Sequence, residues 1–362
     1  MENVIPNNRI AIYTLPLHNN YGGVLQAFAL QKYLNRQGFK TTILDKGELS
    51  KPLFALRLRI KYLLSLLPIS NAIKRKYRNS YFSHINFVEF IKTHFGLIKH
   101  VSCINNDNVQ SYDTIIVGSD QVWRKEYSKV LGDYYLSSIT SKSIKKIAYA
   151  ASIGEFTYSS EECNQISEWL KSFSSISCRE ADTLFHVIND FSTNSQLVVD
   201  PTLLLCREDY LKLIDSSMKY ESDIVCYFMT DKQSKRHIVE KWCGDNKTEC
   251  NDISIQNTQL GGIHKYSVKY WLSCIYNARF IVTDSFHAVV FSLIFHKQFA
   301  VIQGEGMGRI RSLLGDVDLL CRIVNTQNSI NEIYDVIIDW NKVDNKLNKK
   351  KQDSINFLMK SI

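Results

Sequence analysis

RIAIYTLPLHNNYGGVLQAFALQKYLNRQGFKTTILD, residues 9 to 45, decides the fold. The apolar run RIAIYTL (9 to 15) reads as a strand buried on both faces. A polar loop, PLHNNYGG, follows it, and from Val24 the apolar positions recur at helical spacing as far as Gly38. TTILD (41 to 45) is the next strand. The segment is therefore a βαβ unit, with Gly22 and Gly23 opening the helix and Gly38 ending it.

The same plan recurs along the chain. DTIIVGSDQVW (113 to 123) is a strand that stops at Gly118. KIAYAASIG (146 to 154), SISCREADT (175 to 183) and QLVVDPTLLL (196 to 205) each run from an apolar strand into a polar turn. A second series begins at DIVCYFM (223 to 229) and continues through RFIVTD (279 to 284) and QFAVI (298 to 302). A chain of 362 residues exceeds what one hydrophobic core organises. The expectation is an α/β protein of two Rossmann-like, doubly wound domains facing each other across a cleft, residues 1–205 and 206–362. The final stretch from Ser329 is long enough to run back as a helix to the first domain.

Composition narrows the function classes. Hydrophobic residues make up 45% and charged residues 22%, and no apolar run reaches the ~20 residues of a membrane span. The first residues lack a basic region leading into a long apolar stretch, which points to the cytoplasm. A formal charge of +8 fits nucleic acid, a membrane surface or small anionic substrates. No helix-turn-helix, finger or RNP-like signature accompanies it, so nucleic acid is set aside. Nine cysteines are scattered without a CxxC pair, and Cys243 and Cys250 lack the spacing of a zinc site. Reduced thiols and no required metal are expected.

The basic charge is concentrated. Lys51, Arg57, Arg59, Lys61, Lys74, Arg75, Lys76 and Arg78 fall within an insertion of about 51 to 88, with no acidic residue before Glu89. Within it LFALRLRIKYLLSLL (53 to 67) mixes apolar and basic positions as a membrane-surface helix does. A solvated helix pair covering a domain edge would show the same pattern.

Chemistry concentrates in TDSFHAVVFSLIF, residues 283 to 295, where an apolar strand enters a polar turn carrying His287 and then an apolar helix. In open parallel sheets, ligands bind outside the carboxyl ends of the strands, and the helix that follows turns its unpaired N–H groups toward an anion. His287 is placed to meet one, unless it is only a cap or a half-buried packing residue.

Six blocks in this order, NNYGGVLQAFALQKYL, YDTIIVGSDQVW, IAYAASIG, ISCREADT, VVDPTLLL and FIVTDSFHAVVFSLIFHKQF, resemble the polysaccharide pyruvyl transferase family over nearly the whole chain. The resemblance implies a GT-B-like fold. It also implies phosphoenolpyruvate as donor substrate, with no other cofactor, and a sugar diol as acceptor, joined as a cyclic pyruvate ketal in capsule or exopolysaccharide synthesis. Were the acceptor a lipid-linked oligosaccharide, the basic insertion would have a reason to touch the inner face of the membrane. Similar family members carry an Arg and a His at the positions of Arg179 and His287. The planar guanidinium of Arg179 suits a carboxylate or phosphate, and the imidazole of His287 suits proton transfer.

One departure matters: many relatives carry an Arg two residues before the motif His, where this chain has Ser285. Arg309 and Arg311, after the glycine-rich lead-in from Gly304 to Gly308, are candidates to supply that charge on a closing loop. In the first domain Asn20, Tyr21, Gly22, Gly23 and Gln26 lie at a helix start, with Tyr21 able to stack on a sugar ring. Ser119, Asp120, Gln121 and Trp123 follow a strand, Asp120 suited to a sugar hydroxyl and Trp123 to an apolar platform. Asp200 and Asp284 read as turn and cap residues. A nucleotide-sugar glycosyltransferase would need a distinctive nucleoside pocket with a ribose-binding carboxylate. A membrane-surface scaffold would need neither Arg179 nor His287.

Overall fold

The computed structural model of the protein describes residues 9–47, 52–215, 223–254, 256–257 and 263–362. Lys51 of the basic insertion and residues 216–222, shortly after the expected domain boundary, lie outside the described residues.

In chain order the elements are β1 (Arg9–Tyr13), α1 (Tyr21–Arg36), β2 (Lys40–Asp45), α2 (Pro52–Leu64), α3 (Asn71–His94), β3 (Leu97–His100), α4 (Asn106–Val109), β4 (Thr114–Val117), β5 (Lys145–Ala151), α5 (Ser160–Leu170), β6 (Ser175–Cys178), α6 (Ala181–Asn189) and β7 (Gln196–Leu197). They continue with α7 (Arg207–Leu211), β8 (Ile224–Tyr227), α8 (Lys232–Asp245), β9 (Cys250–Asp252), β10 (Gln256–Asn257), β11 (Ile263–His264), α9 (Val268–Asn277), β12 (Phe280–Thr283), α10 (Phe286–Ile294), β13 (Gln298–Ile302), α11 (Gly308–Asp316), β14 (Ile323–Val324), α12 (Gln327–Tyr334) and α13 (Trp340–Ser361).

The chain forms two compact units. The first gathers Met1–Lys51, His94–Leu205 and Leu347–Ile362 around a seven-stranded sheet in the order β3-β2-β1-β4-β5-β6-β7. Every pairing in that sheet is parallel. The second gathers Pro52–Thr93 and Cys206–Lys346 around a five-stranded parallel sheet in the order β14-β13-β12-β8-β9. Both orders reverse direction once, as doubly wound sheets do: between β1 and β4 in the first, and between β8 and β12 in the second.

Of the four strands flanking the reversals, TIIV of β4, IVCY of β8 and FIVT of β12 are buried at every position, and β1 at all but Arg9. That is why they read as continuous apolar runs rather than alternating ones. The first core packs Tyr13, Ile115, Val117, Trp123 and Ile166, and the second Ile224, Phe228, Trp242, Phe280 and Val282. Truncating a residue such as Phe280 to alanine costs about 3–5 kcal/mol.

Two segments group differently from the expected 1–205 and 206–362 division. The basic insertion forms the helix pair α2–α3 and belongs to the second unit. There Asn86 Nδ2 donates to the Lys265 carbonyl at 2.7 Å and Ser83 Oγ accepts from Lys265 N at 3.3 Å. The later turns of α13 belong to the first unit, where Ser354 Oγ accepts from Val199 N at 2.9 Å and Lys145 Nζ donates to the Ile362 carbonyl at 2.8 Å. The strand expected over QLVVD is also shorter. β7 spans two residues, Val198 N adds one further bond to the Cys178 carbonyl at 2.9 Å, and Pro201 then opens a 3-10 turn.

Candidate active site

In the first unit, the chain leaving β1 and the chain leaving β4 are tied together by Gln26. Its Nε2 donates to Thr14 Oγ1 and to the Gly23 carbonyl, both at 3.0 Å, while its Oε1 accepts from Ser119 N at 3.0 Å. Thr14 Oγ1 donates to the Ser119 carbonyl at 3.0 Å, and Ser119 Oγ to the Ala150 carbonyl at 2.7 Å. Gln26 is buried because it satisfies backbone that the sheet leaves open. Gly118 precedes this turn at φ +116°, where an added Cβ would stand 2.2 Å from the Tyr149 carbonyl oxygen. Asn20 is exposed and caps α1, its Oδ1 accepting from Gly23 N at 3.2 Å.

Asp120, at φ +73°, delivers its carboxylate to Arg179. Arg179 Nη2 lies 3.1 Å from Asp120 Oδ1, Nη1 2.9 Å from Asp200 Oδ2, and Nε 3.5 Å from Glu180 Oε2. Asp200 also caps the 3-10 turn, its Oδ1 accepting from Thr202 N at 3.0 Å and Thr202 Oγ1 at 2.6 Å. Burial works against the Arg179 cation, but Asp120, Asp200 and Glu180 more than reverse it and push its pKa up. Arg179 is thus engaged with carboxylates of its own unit and its side chain is only 1% exposed. What it fixes directly are Asp120 and Asp200.

Other first-unit candidates move inward. Trp123, expected as an apolar platform, is a core residue: its Nε1 donates to the Tyr134 carbonyl at 3.1 Å and its ring stacks on Tyr135 at 5.2 Å between centroids. Tyr21, expected to stack on a sugar, is buried at the start of α1, as is Gly22, while Gly23 is half-buried. Gln121 is buried beside Gly154, where an added Cβ would sit 2.6 Å from Gln121 Nε2.

In the second unit the reversal between β8 and β12 is crossed by Asp284. Its Oδ1 accepts from Met229 N at 2.6 Å. Its Oδ2 accepts from Thr230 N at 3.0 Å, Thr230 Oγ1 at 2.9 Å and Lys235 Nζ at 2.6 Å. The turn after β8 is thereby pinned to the turn after β12. Thr283 Oγ1 donates to the Tyr227 carbonyl at 2.5 Å and accepts from Ser285 N at 3.0 Å. Ser285 caps α10, and His287 lies buried in the first turn with its ring 5.1 Å from Phe286 in an edge arrangement. Arg309, near the start of α11, sets its guanidinium 5.7 Å from the centre of the Phe286 ring, a cation–π distance. Arg311 is exposed on the same helix.

Lysines crowd this junction, and the sequence reading had passed over them. Lys232 opens α8, and its pKa is pulled down by burial and Arg236 against the opposing pull of Asp252 and Asp284. Lys265 is pushed down to about 8 by burial and by the charge of Lys232. An added Cβ at Gly304 would stand 2.8 Å from Lys235 Nζ, so the segment after β13 lies against the same group. The signal was available: TDK after the DIVCYFM strand repeats the strand-turn-helix plan that drew attention to His287. Among the described residues no group of His, Cys, Asp or Glu side chains is placed to hold a metal ion, and no helix is long and apolar enough to cross a membrane.

A family model described as polysaccharide pyruvyl transferase matches residues 20–304. No curated protein matches the chain. Among solved structures, the UDP-GlcNAc 2-epimerase of Neisseria meningitidis bound to UDP-GlcNAc is similar with a TM-score of 0.52 at 10% identity, over 98% of this chain and 100% of that one. The UDP-N-acetylglucosamine 2-epimerase of Rickettsia bellii gives 0.52 at 8% identity, over 98% and 96%. The MnaA–UDP co-structure from S. aureus gives 0.51 at 10% identity, over 98% of both chains. At such identities the likeness shows the fold, which is of the GT-B type.

Proposed function

The chain belongs to the polysaccharide pyruvyl transferase family, and from that premise we propose that it moves the enolpyruvyl group of phosphoenolpyruvate onto two hydroxyls of a sugar, forming a cyclic ketal and releasing phosphate. The observation that carries the reading is that Lys235 and Lys232 both interact with Asp284 at the reversal point of the second sheet, that Lys265 adjoins Lys232, and that His287 stands in the first turn of the helix following Asp284. Burial opposes the charge of Lys232 and Lys265, and Lys232 adds to the opposition at Lys265, so a bound anion would relieve both. Phosphoenolpyruvate brings both a phosphate and a carboxylate. Charge-assisted contacts of this kind contribute about 1.5–3 kcal/mol each.

In this reading Lys232, Lys265 and Arg309 supply the positive charge that Ser285 does not, and the Ser285 hydroxyl and the N–H groups of α10 complete the grip. A sugar hydroxyl oxygen adds to C2 of the donor while a proton reaches the methylene carbon, which becomes a methyl. The bond from C2 to the phosphate oxygen then breaks and the second hydroxyl closes the ring. One hydroxyl proton ends on the methyl carbon and the other on phosphate. His287 is the group assigned to proton transfer, a contribution of typically 10²–10⁴-fold. Asp120 is assigned to an acceptor hydroxyl, with Arg179 as the residue that positions it.

The reading places the work in the cytoplasm, where thiols such as exposed Cys103 and Cys321 stay reduced, and in the assembly of a capsule or exopolysaccharide. The test is phosphate release from phosphoenolpyruvate with a panel of galactosyl and mannosyl acceptors. Acceptor-dependent release that His287→Ala lowers at least 100-fold is the expected result. Failure of phosphoenolpyruvate to bind at all would overturn it.

A further inference from the structure

The basic insertion presents an apolar row that stays exposed among the described residues. On α2 one face packs inward: Leu58 and Ser65 are buried, Phe54 meets His84 edge-on at 5.2 Å, and Tyr62 stacks on Tyr81 at 4.5 Å. Arg78 Nε donates to Ser65 Oγ at 3.3 Å and closes that face against α3. The opposite face carries Leu53, Leu56, Ile60, Leu63 and Leu64, and the turn beyond adds Leu66 and Leu67. All seven side chains are between 40% and 63% exposed. At 3.6 residues per turn the five helical positions form a stripe about 100° wide. Arg59 falls on one flank of the stripe and Arg57 and Lys61 on the other, all three exposed. Ile73, Arg75 and Lys76, also exposed, extend the pattern onto the start of α3.

We propose that α2 and the turn after it, residues 53 to 67, form a docking face for an anionic lipid surface. An exposed apolar stripe with cations on both borders is what a helix needs to lie in the boundary between headgroups and acyl chains. The leucines enter the apolar layer while Arg57, Arg59 and Lys61 meet phosphates. Charge selects this occupant over a second copy of the chain. A twofold contact would set the same cations against each other, and residues 52 to 88 hold no Asp or Glu to meet them. The inference goes beyond the proposed reaction and does not depend on it: the face lies on α2, whereas His287 lies on α10.

The experiment is co-sedimentation of the full chain with vesicles of equimolar phosphatidylcholine and phosphatidylglycerol, beside vesicles of phosphatidylcholine alone. Binding to the anionic vesicles, weakened by salt, is expected. Each basic residue near the surface contributes about fivefold, so Arg57→Gln/Arg59→Gln/Lys61→Gln should bind on the order of 100-fold more weakly. Leu56→Ser/Ile60→Ser/Leu63→Ser should lose binding while phosphate release with a soluble acceptor stays at the wild-type rate. Hydrogen exchange of the wild type on anionic vesicles should show protection confined to residues 53 to 67. Equal binding by wild type and both variants, no binding by the wild type at low salt, protection elsewhere, or a concentration-dependent dimer that the serine variant dissociates would each overturn the proposal. Absence of phosphate release in the wild type would count against the proposed reaction alone.

Discussion

Arg179→Met is the perturbation with the largest consequence that the first unit predicts. The wild-type guanidinium sits 2.9 Å from Asp200 and 3.1 Å from Asp120, with side-chain exposures of 1%, 0% and 7% for the three groups. Removing one partner of a buried ion pair costs about 3–5 kcal/mol, because the charges left behind remain desolvated. At roughly 2–4 °C per kcal/mol for a domain of about 150–250 residues, the melting temperature should fall by roughly 6–20 °C. The sign of the pH dependence follows from the same geometry. The Arg179 pKa is raised on folding, so its contribution is fully present below the ordinary arginine value and is lost only as pH rises beyond it. The wild type therefore keeps it throughout the usable range. In the variant, the buried Asp120 and Asp200 carboxylates lose the guanidinium that offset their desolvation, which favours their protonated forms in the folded state. The deficit is then largest near neutral pH and narrows as pH falls toward the carboxylate range. Thermal melts followed by circular dichroism at neutral and mildly acidic pH read both effects, and Arg179→Lys should recover part of the loss. A variant that melts within 2 °C of wild type at neutral pH would refute the reasoning.

Gly118→Ala should destabilise by more than 1 kcal/mol and reduce soluble yield, since its Cβ would stand 2.2 Å from the Tyr149 carbonyl oxygen at φ +116°. Gly244→Ala, in α8 with nothing within 4 Å of the added carbon, should instead raise stability by about 0.4–1 kcal/mol, and chemical denaturation of the pair measures both signs. Affinity for phosphoenolpyruvate should weaken as pH rises through about 8, where Lys265 gives up its charge, and Lys265→Met should flatten that dependence in a calorimetric titration. An unchanged pH profile in Lys265→Met would remove Lys265 from the donor grip.

What the sequence disclosed, and what it hid, follows from how far apart the contacting residues lie. The β1–α1–β2 unit and the β12–α10 junction are local: apolar strands, an Asn or Ser cap and Gly38 at φ +90° are written within a few residues of one another. His287 could be singled out because its strand, turn and helix are contiguous. The Asp284–Lys235 pair spans 49 positions and the Arg179–Asp120 pair 59, and no local pattern announces either. The lysines escaped attention because a charged residue after a strand reads as an ordinary turn until the sheet order sets β8 beside β12. Trp123 and Tyr21 misled for the opposite reason. An aromatic residue beside a polar turn looks available for a sugar, and only the acceptor at the Tyr134 carbonyl and the ring of Tyr135 show that the indole is spoken for within the core. The basic insertion gave its helices correctly by pattern, while its grouping with the second unit depends on Ser83 and Asn86 meeting the backbone of Lys265.

The central claim is that C2 of phosphoenolpyruvate becomes a ketal carbon on a sugar. The direct measurement is a carbon NMR spectrum of the reaction run with donor labelled with carbon-13 at C2 and an acceptor that supports phosphate release. The account predicts that the olefinic signal gives way to a saturated carbon bearing two sugar oxygens, and that His287→Ala suppresses the conversion. A label that remains olefinic with every acceptor, or that appears only as the carbonyl of free pyruvate, would contradict it.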